Sequence, residues 1–568
     1  MTLPLEKRWE IYPPIPPDID QALTSYHPLL RQLLYNRGIQ DADSAKAYLE
    51  ISGSLYDPFL LSGMNIATDR ILKAIDEHEQ IAIYGDYDVD GVTATALLVK
   101  VLRKLGAEVN EYIPNRFEEG YGMNKDALDT LYANGVRLVI TVDSGIRSPI
   151  EAQYARSIGL DLIISDHHEP KNDLPPCLAV ICPKQVGDLY PEKNLAGVGV
   201  AFKIADALLR KRPVDGIKSE DWLDLVAIGT VADIVPLLGE NRTLVKAGLD
   251  LLRRGQRPGL YSLARIAGLN IQTISARDIG FCLGPRLNAA GRLDTALLAY
   301  NLLIAEDLAS AGMLAQKLDD QNKQRQTMTM QIQHDAEVLV DQYPDDYLLY
   351  AAHTEFSMGL IGLVASRLTE THYRPSIIAS IDAKGEFTRA SCRSIPEFHI
   401  THALDECSDL LVRHGGHAMA AGFTVLTENL TKLVDRMREI AHRDLAGREL
   451  RPVLTADKEI SLRDYRGEEL RAIYENIQRL EPSGMENPGA LFVSYNLPVD
   501  GYKAVGAEKK HLKLKVKDGP VTFDAIAFRQ GHWEKHKLEK IGLLYSLEVN
   551  EYNSNTSYQL NVRDLKLS

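Results

Sequence analysis

From residue 80 onward, short apolar runs alternate with amphipathic segments, and nothing else in the chain restricts the fold as much. "IAIYG" leads into the helical "TATALLVKVLRKLG", the strand-like "AEVNEYIP" into the helix "NKDALDTLYANG", and "VRLVITV" into "SPIEAQYARSIG". "LDLIIS" and "CLAVICP" complete the series. Strand and helix at this spacing predict an α/β fold with a parallel, doubly wound sheet, whose ligands sit at the carboxyl ends of the strands. The first, third and fourth strands each run into a polar cluster: "GDYDVDG" (85–91), "DSG" (143–145) and "DHHE" (166–169). Asp86, Asp88, Asp90, Asp143, Asp166, His167 and His168 are therefore expected along one edge of one sheet. Carboxylates this close repel one another unless a cation or hydrogen-bond donors offset the charge. Carboxylates with imidazole suit Mn²⁺, or Mg²⁺ where carboxylates and water dominate. Two such ions sharing a bridging carboxylate form an arrangement that hydrolyses phosphodiesters. Asp233, within the mostly apolar "LVAIGTVADIVPL", is either a further ligand or the partner of a basic residue, because burying an unpaired charge is costly.

A chain of 568 residues is too long for a single core, and roughly three or four domains are expected. An N-terminal segment, 1–60, reads as a cap on the domain that follows. The parallel sheet and its helices occupy 61–305, and a polar helix over 306–340 connects to a second α/β unit at 341–448. The tail, 449–568, reads as several short strands of a small barrel. No apolar run approaches the roughly 20 residues of a membrane span, and the first residues lack the basic-then-apolar order of a signal peptide. Five cysteines (177, 182, 282, 392 and 407) without a CxxC pair read as reduced thiols, so a cytoplasmic protein with no membrane association is expected. The net charge of −14 argues against a nonspecific nucleic-acid coat, but residues 501–568 carry 12 Lys and Arg against 8 Asp and Glu. A polyanion partner is therefore sought in the tail.

Other motifs carry positive charge. "GPRLNAAGR" (284–292) sets Arg286 and Arg292 around a small-residue turn. "SCRS" (391–394) and "RHGGHAMAAG" (413–422) add Arg393, His414, His417 and a glycine pair. Arginine forks and backbone amides near glycine suit phosphate oxygens, although each motif alone also fits a tight turn with solvated arginines. In "KKHLKLKVK", Lys513, Lys515 and Lys517 alternate with Leu512, Leu514 and Val516. At strand period that is one basic face and one core face, suited to tracking a single strand with Tyr502 available for stacking, or to protecting an edge strand. "GVGVAF" (197–202) is only a faint dinucleotide loop: it follows no clear strand and lacks the full glycine pattern.

"GDYDVDG", "DSG", "DHHE" and "GGHAMAAG" resemble the motifs of the DHH phosphoesterase superfamily and its associated domain. "PNRFEEGYG" (114–122), "GPRLNAAGR", "GLIGLVASRL" (359–368) and "LEPSGMENPGALF" (480–492) narrow the resemblance to the RecJ family of bacterial single-strand-specific 5′→3′ exonucleases. It covers the chain from about residue 80 to the end. The resemblance implies a DHH domain, a connecting helix, a DHH-associated domain and an OB-fold, with two Mn²⁺ or Mg²⁺ ions between the first two domains. It implies Asp88, Asp90, Asp143, His167 and Asp233 as ligands, Asp143 as the bridge, and His168 close by. Arg116, Ser391 and Arg393 would recognise the 5′-terminal phosphate, and Arg286, Asn288, His353 and His417 would meet the backbone or the scissile phosphate. Tyr84 stands where many members of the superfamily have a metal-binding histidine, so either Asp86 substitutes or that metal is held more weakly. Glu486 stands where a second glycine is usual. The implied activity is two-metal-ion hydrolysis of single-stranded DNA from a free 5′ end in repair and recombination, with a helicase and a single-strand-binding protein as partners and the enzyme a monomer. The alternatives are a DHH phosphodiesterase acting on short oligoribonucleotides or cyclic dinucleotides, and a non-catalytic replication factor of the same fold.

Overall fold

Five strands with apolar interiors build the first sheet: β1 (Gln80–Gly85), β2 (Val109–Tyr112), β3 (Val136–Val142), β4 (Asp161–Ser165) and β5 (Ala179–Ile181). They run parallel in the order β2-β1-β3-β4-β5. The three strands that end in acidic clusters are therefore the three central neighbours. Chain order reverses between β1 and β3, where doubly wound sheets open a crevice for ligands. This computed structural model describes residues 5–50, 55–116, 118–120, 122–171, 173–343, 346–552 and 555–568. Phe117 and Tyr121 of "PNRFEEGYG" lie outside the described residues.

Side chains two apart share a face of a strand, and both faces are covered. Ile81, Ile83, Leu138 and Ile140 pack against α1 (Val89–Lys104) and, later in the chain, against helices at 197–211 and 223–232. Ala82, Tyr84, Val139, Leu162 and Ile164 pack on the other side against α2 (Lys125–Ala133) and α3 (Pro149–Ser157). The later helices are α4 (Gly197–Lys211), α5 (Leu223–Ala232), α6 (Gly284–Leu293) and the long α7 (Leu308–Val340).

"GPRLNAAGR" is thus a helix and not the turn its small residues suggested. Alanine is the strongest helix former, and Gly291 serves close packing: a Cβ there would lie 2.6 Å from the Tyr87 carbonyl oxygen. A π-helical turn, Ile279–Leu283, precedes α6.

The chain divides into two units, residues 10–319 with 455–568 and residues 1–9 with 320–454. Helix α7 starts in the first, where Ala311, Ala315 and Leu318 join the core, and ends in the second through Ile332, Ala336 and Val340. The second unit holds β6 (Leu349–His353), α8 (Ile361–His372), β7 (Ser376–Ile381), β8 (Phe387–Arg393), β9 (Leu411–His417), β10 (Ala420–Leu426) and α9 (Leu430–Leu445), with strand order β9-β10-β8-β7-β6. The glycine pair of "RHGGHAMAAG" lies in β9 of a hairpin, not in a turn.

In the first unit the tail forms β11 (Phe492–Val505), β12 (His511–Asp518), β13 (Val521–Ala527), β14 (Lys540–Tyr552) and β15 (Asn555–Leu567). The order β11-β12-β13-β15-β14, with β14 pairing back onto β11, closes a five-stranded barrel. The N-terminal segment packs on two cores: Leu55 and Phe59 lie against the domain that follows, and the helical part before them lies on this barrel. Leu23, Leu29, Leu30, Leu33 and Leu34 share one core with Phe492, Leu512, Leu514 and Leu543. The five cysteines are free, and no helix among the described residues is long and apolar enough to cross a membrane.

Candidate metal centre and nucleic-acid contacts

The chain leaves β1 through Asp86 and turns at once into α1. Asp88 is the N-cap: its Oδ1 accepts from the Asp90 amide at 2.9 Å and from Gly91 at 3.2 Å. Only glycine fits at 91, because a Cβ would lie 2.6 Å from both the nitrogen and the oxygen of Asp86. Asp90 sits in the first helical turn, and its carboxylate accepts from the amides of Gly197 (2.6 Å) and Val198 (2.8 Å) at the start of α4. The discounted "GVGVAF" therefore begins a helix whose positive end holds a carboxylate.

Asp143 follows β3 in the left-handed region at φ 59°, a backbone conformation more accessible to Asp than to most residues and characteristic of functional sites. After β4, Asp166 organises the next loop. Its Oδ1 accepts from the amides of His167 (2.7 Å) and His168 (3.1 Å) and pairs with His168 Nδ1 at 2.7 Å, while Oδ2 accepts from Ile146 N at 2.9 Å. The fourth ligand-bearing segment is the end of α5, where Asp233 is the C-cap.

These pieces converge. His167 Nε2 lies 3.0 Å from Asp143 Oδ1, 3.6 Å from Asp233 Oδ2 and 3.8 Å from Asp90 Oδ2. Three overlapping groups have ligand atoms within 4.8 Å of one another: Asp90, His167 and Asp233; Asp143, His167 and His168; and Asp86, Asp88 and Asp143. Asp143 and His167 each belong to two of them. Asp86 Oδ1, Asp143 Oδ1 and His167 Nε2 are buried and make no hydrogen bond, the last two facing each other at 3.0 Å, so these residues fit a pair of divalent cations.

The electrostatics agree. Burial, then the charges of Asp90 and Asp88, hold the Asp143 carboxyl well above the usual range. Burial and Asp88 do the same to Asp86. Asp90 is pushed up to about 7 by burial and Asp88, and Asp233 up to about 9 by burial and its acidic neighbours. Burial pushes His167 down to about 3, which keeps its ring in the neutral form that ligates metals. For His168, burial is outweighed by its bond to Asp166, which raises its pKa.

Tyr84 is absent from these groups. It is fully buried in the core beneath α2 and α3, and its hydroxyl donates to the Gly122 carbonyl at 3.1 Å. Asp86 stands with Asp88 and Asp143, where a substitute ligand would stand.

The cationic candidates divide. The Arg116 guanidinium stacks over Tyr87 at 5.0 Å, beside the metal-binding loop, and the charges of Arg116 and Arg292 both reach Tyr87. Glu119 braces the Arg116 loop by accepting from Tyr112, Asn115 and Asn124. Asn288 accepts from Val89 N at 3.2 Å, and Arg286 is bound to Asp319 (2.8 Å) and the Cys282 carbonyl (2.8 Å). Both residues therefore brace the site's framework. Lys513 and Lys515 point out of the barrel while Leu512, Leu514 and Val516 fill it. β12 is flanked by β11 and β13, so it is not an edge strand. Tyr502 is unavailable for stacking: it pairs with the inward Leu514, and its hydroxyl donates to the His536 carbonyl.

In the second unit, register puts Arg393, Ala420 and His417 in one row, Ser391, Gly422 and Gly415 in the next, and Arg389, Thr424 and Arg413 in the third. Residues in register share a face. Arg393 donates to Ser391 Oγ at 3.0 Å, and Gly362 gives them room, since a Cβ there would come within 3.1 Å of Ser391 Oγ. Small residues thus alternate with cations on this face, which α8 approaches at Ser391 and Arg393 and which is exposed at Arg389, Arg413 and His417. His353 falls in the Arg389 row, away from His417 by about 13 Å along the strands. The cations Arg389 and Arg413 escaped sequence reasoning, since only the pairing of β8, β10 and β9 aligns them with Ser391 and Arg393.

Family models match in three places: the DHH family N-terminal domain at 80–230, the DHHA1 domain at 345–443 and the RecJ OB domain at 457–564. The chain is 39% identical to the single-stranded-DNA-specific exonuclease RecJ of Bacillus subtilis, over 99% of its own length and 71% of that protein. It is 35% identical to the protein of that name from Escherichia coli, over 94% and 95% of the two chains. The crystal structure of RecJ from Thermus thermophilus with Mn²⁺ superposes with a TM-score of 0.84 at 29% identity, covering 99% of this chain and 80% of that one. The same protein has been solved with Mg²⁺. With 39% and 35% identity to two such exonucleases over nearly its whole length, and family models matching in three successive parts, this chain belongs to the RecJ family.

Proposed function

We propose that this chain is a metal-dependent, single-stranded-DNA-specific 5′→3′ exonuclease that releases mononucleotides. The observation that carries the reading is the convergence of buried ligand atoms of Asp86, Asp143 and His167, none of them in a hydrogen bond, with Asp88, Asp90 and Asp233. Asp90, His167 and Asp233 would hold one ion and Asp86 and Asp88 the other, with Asp143 between them. Such ions lower the pKa of a water and offset charge on the attacked phosphate.

The chain's own residues do the rest. Asp166 pairs with His168 Nδ1 and fixes its ring, and His168 is assigned to hold or give a proton at the leaving oxygen. Arg116 and Arg292 meet phosphates near the metal loop, while Ser391, Arg393 and His417 take the 5′-terminal phosphate and His353 a neighbouring one. Arg286 and Asn288 keep the framework in place. Lys513 and Lys515 follow the strand along the barrel. We take the enzyme to act as a monomer. An enzyme confined to single strands depends on partners that expose them, a helicase and a single-strand-binding protein. The five free thiols fit the cytoplasm.

The test is digestion of single-stranded DNA labelled at either end, with Mn²⁺, by wild type and by Asp143→Ala. Mononucleotides from the 5′ end, lost in the variant and absent with duplex, are expected. Intact strand binding without cleavage in the wild type would instead identify a non-catalytic relative of the fold.

A further inference from the structure

We infer that Phe281, with Ile234 beside it, is a stacking shelf for a base of the single strand at the metal centre; the inference rests on the exonuclease reading above. Phe281 is 79% exposed, more than any other aromatic among the described residues. It lies in the π-helical turn Ile279–Leu283, a local distortion that recurs at functional sites. That turn packs against the end of α5: a Cβ on Gly280 would be 3.9 Å from Val231 Cγ1, and one on Gly284 would be 3.6 Å from Ala232 Cβ. Val231 and Ala232 are the two residues before Asp233. The residue after it, Ile234, has φ 62° and is 62% exposed. A β-branched residue takes this conformation only where the surroundings impose it.

Two large apolar side chains are thus presented to solvent near a candidate metal ligand, Ile234 next to it in the chain and Phe281 on the turn packed against the two residues before it. Neither is needed by a core. One end of the segment reaches the barrel, where Arg277 pairs with Glu548 on β14 at 2.8 Å. The other end runs into α6, whose far end lies against the Tyr87 carbonyl in the metal loop. A strand leaving the metal centre along this segment finds an aromatic face for its bases. Every base has such a face, so the contact is indifferent to sequence. It also supplies the aromatic platform that Tyr502, turned into the barrel, does not.

The experiment uses the full chain with Mn²⁺ and a 5′-phosphorylated oligothymidylate. Phe281→Ala is expected to raise KM about tenfold, with kcat, melting temperature and Mn²⁺ affinity unchanged, and Phe281→Trp to restore KM. An abasic residue is then moved one position at a time from the 5′ end. At the stacked position it should raise KM for wild type and not for Phe281→Ala. An unchanged KM in Phe281→Ala, or equal sensitivity of both enzymes to the abasic residue at every position, overturns the shelf while the exonuclease reading stands. A wild type that neither binds nor cleaves the strand overturns both.

Discussion

Gly197 is the position where one methyl group is most informative. It opens α4, its amide donates to Asp90 at 2.6 Å, and a Cβ built on it lies 2.7 Å from the Asp143 Cβ and 3.0 Å from the Asp143 Cα. Ordinary contact begins near 3.4 Å, so Gly197→Ala must separate two backbone segments by about 0.7 Å. Neither can yield cheaply: Asp143 is held at φ 59° at the end of a central strand, and α4 is buried against the sheet. Overpacking of this kind costs about 1–3 kcal/mol of stability. The larger effect is on the chemistry, since displacing a reacting group by ~1 Å costs about a hundredfold in rate. Gly199→Ala is the control. It lies on the same helix, but its Cβ would meet only the Leu195 side chain, at 3.3 Å from Cδ2 and 3.4 Å from Cβ, within a tenth of an ångström of ordinary contact. There the better helix propensity of alanine should offset the crowding, leaving stability within about 1 kcal/mol of wild type. The assay is single-turnover release of the 5′ nucleotide at saturating Mn²⁺, with thermal melts of the same samples. A Gly197→Ala enzyme with wild-type turnover and metal affinity would refute the placement of α4 against Asp143.

Three further outcomes are expected. Tyr84→Phe should leave Mn²⁺ affinity unchanged and cost about 1 kcal/mol for the missing bond to the Gly122 carbonyl; a large loss of metal affinity would make Tyr84 a ligand after all. Chelation should destabilise the protein more as pH rises. Asp90 and Asp233 have folded pKa values of about 7 and about 9 against 3.8, so the metal-free fold is favoured while they are protonated and loses that stability as pH climbs through this window. The gap in melting temperature between Mn²⁺-loaded and chelated protein should therefore widen from pH 5.5 to 8.5, and a constant gap would count against a metal centre here. Lys513→Glu and Lys515→Glu should weaken single-strand binding and reduce the salt slope by about 0.7 for each phosphate no longer neutralised, measured by anisotropy across a salt series. An unaltered slope would remove the barrel's basic face from the binding path.

Much of the molecule was legible because it is decided locally. The alternation of apolar runs and helices set out the first sheet, and the aspartates of "GDYDVDG" read as ligands because strand ends in such sheets face a ligand crevice. The lysines of β12 were placed on an outer face by period-two spacing alone, and the structure keeps them there. The 284–292 segment misled because glycine and alanine carry no local sign of whether they serve a turn or a close approach. Only Tyr87 packed against Gly291 decides that.

What the sequence by itself determined was the order of strands and helices and the chemical kind of the site, since both follow from neighbours in the chain. Tertiary structure alone decided which groups meet. Asp90 is held by amides 107 and 108 residues away, Asp233 joins the centre from the end of another helix, and Asn36 bonds Asp457 across 421 positions. Tyr84 and Tyr502 turn inward because burying an aromatic ring outweighs exposing it, and no local pattern reveals which side of the sheet or barrel has the room. Spacing in sequence encodes periodicity, whereas the meeting of distant segments depends on where their apolar faces can be covered together.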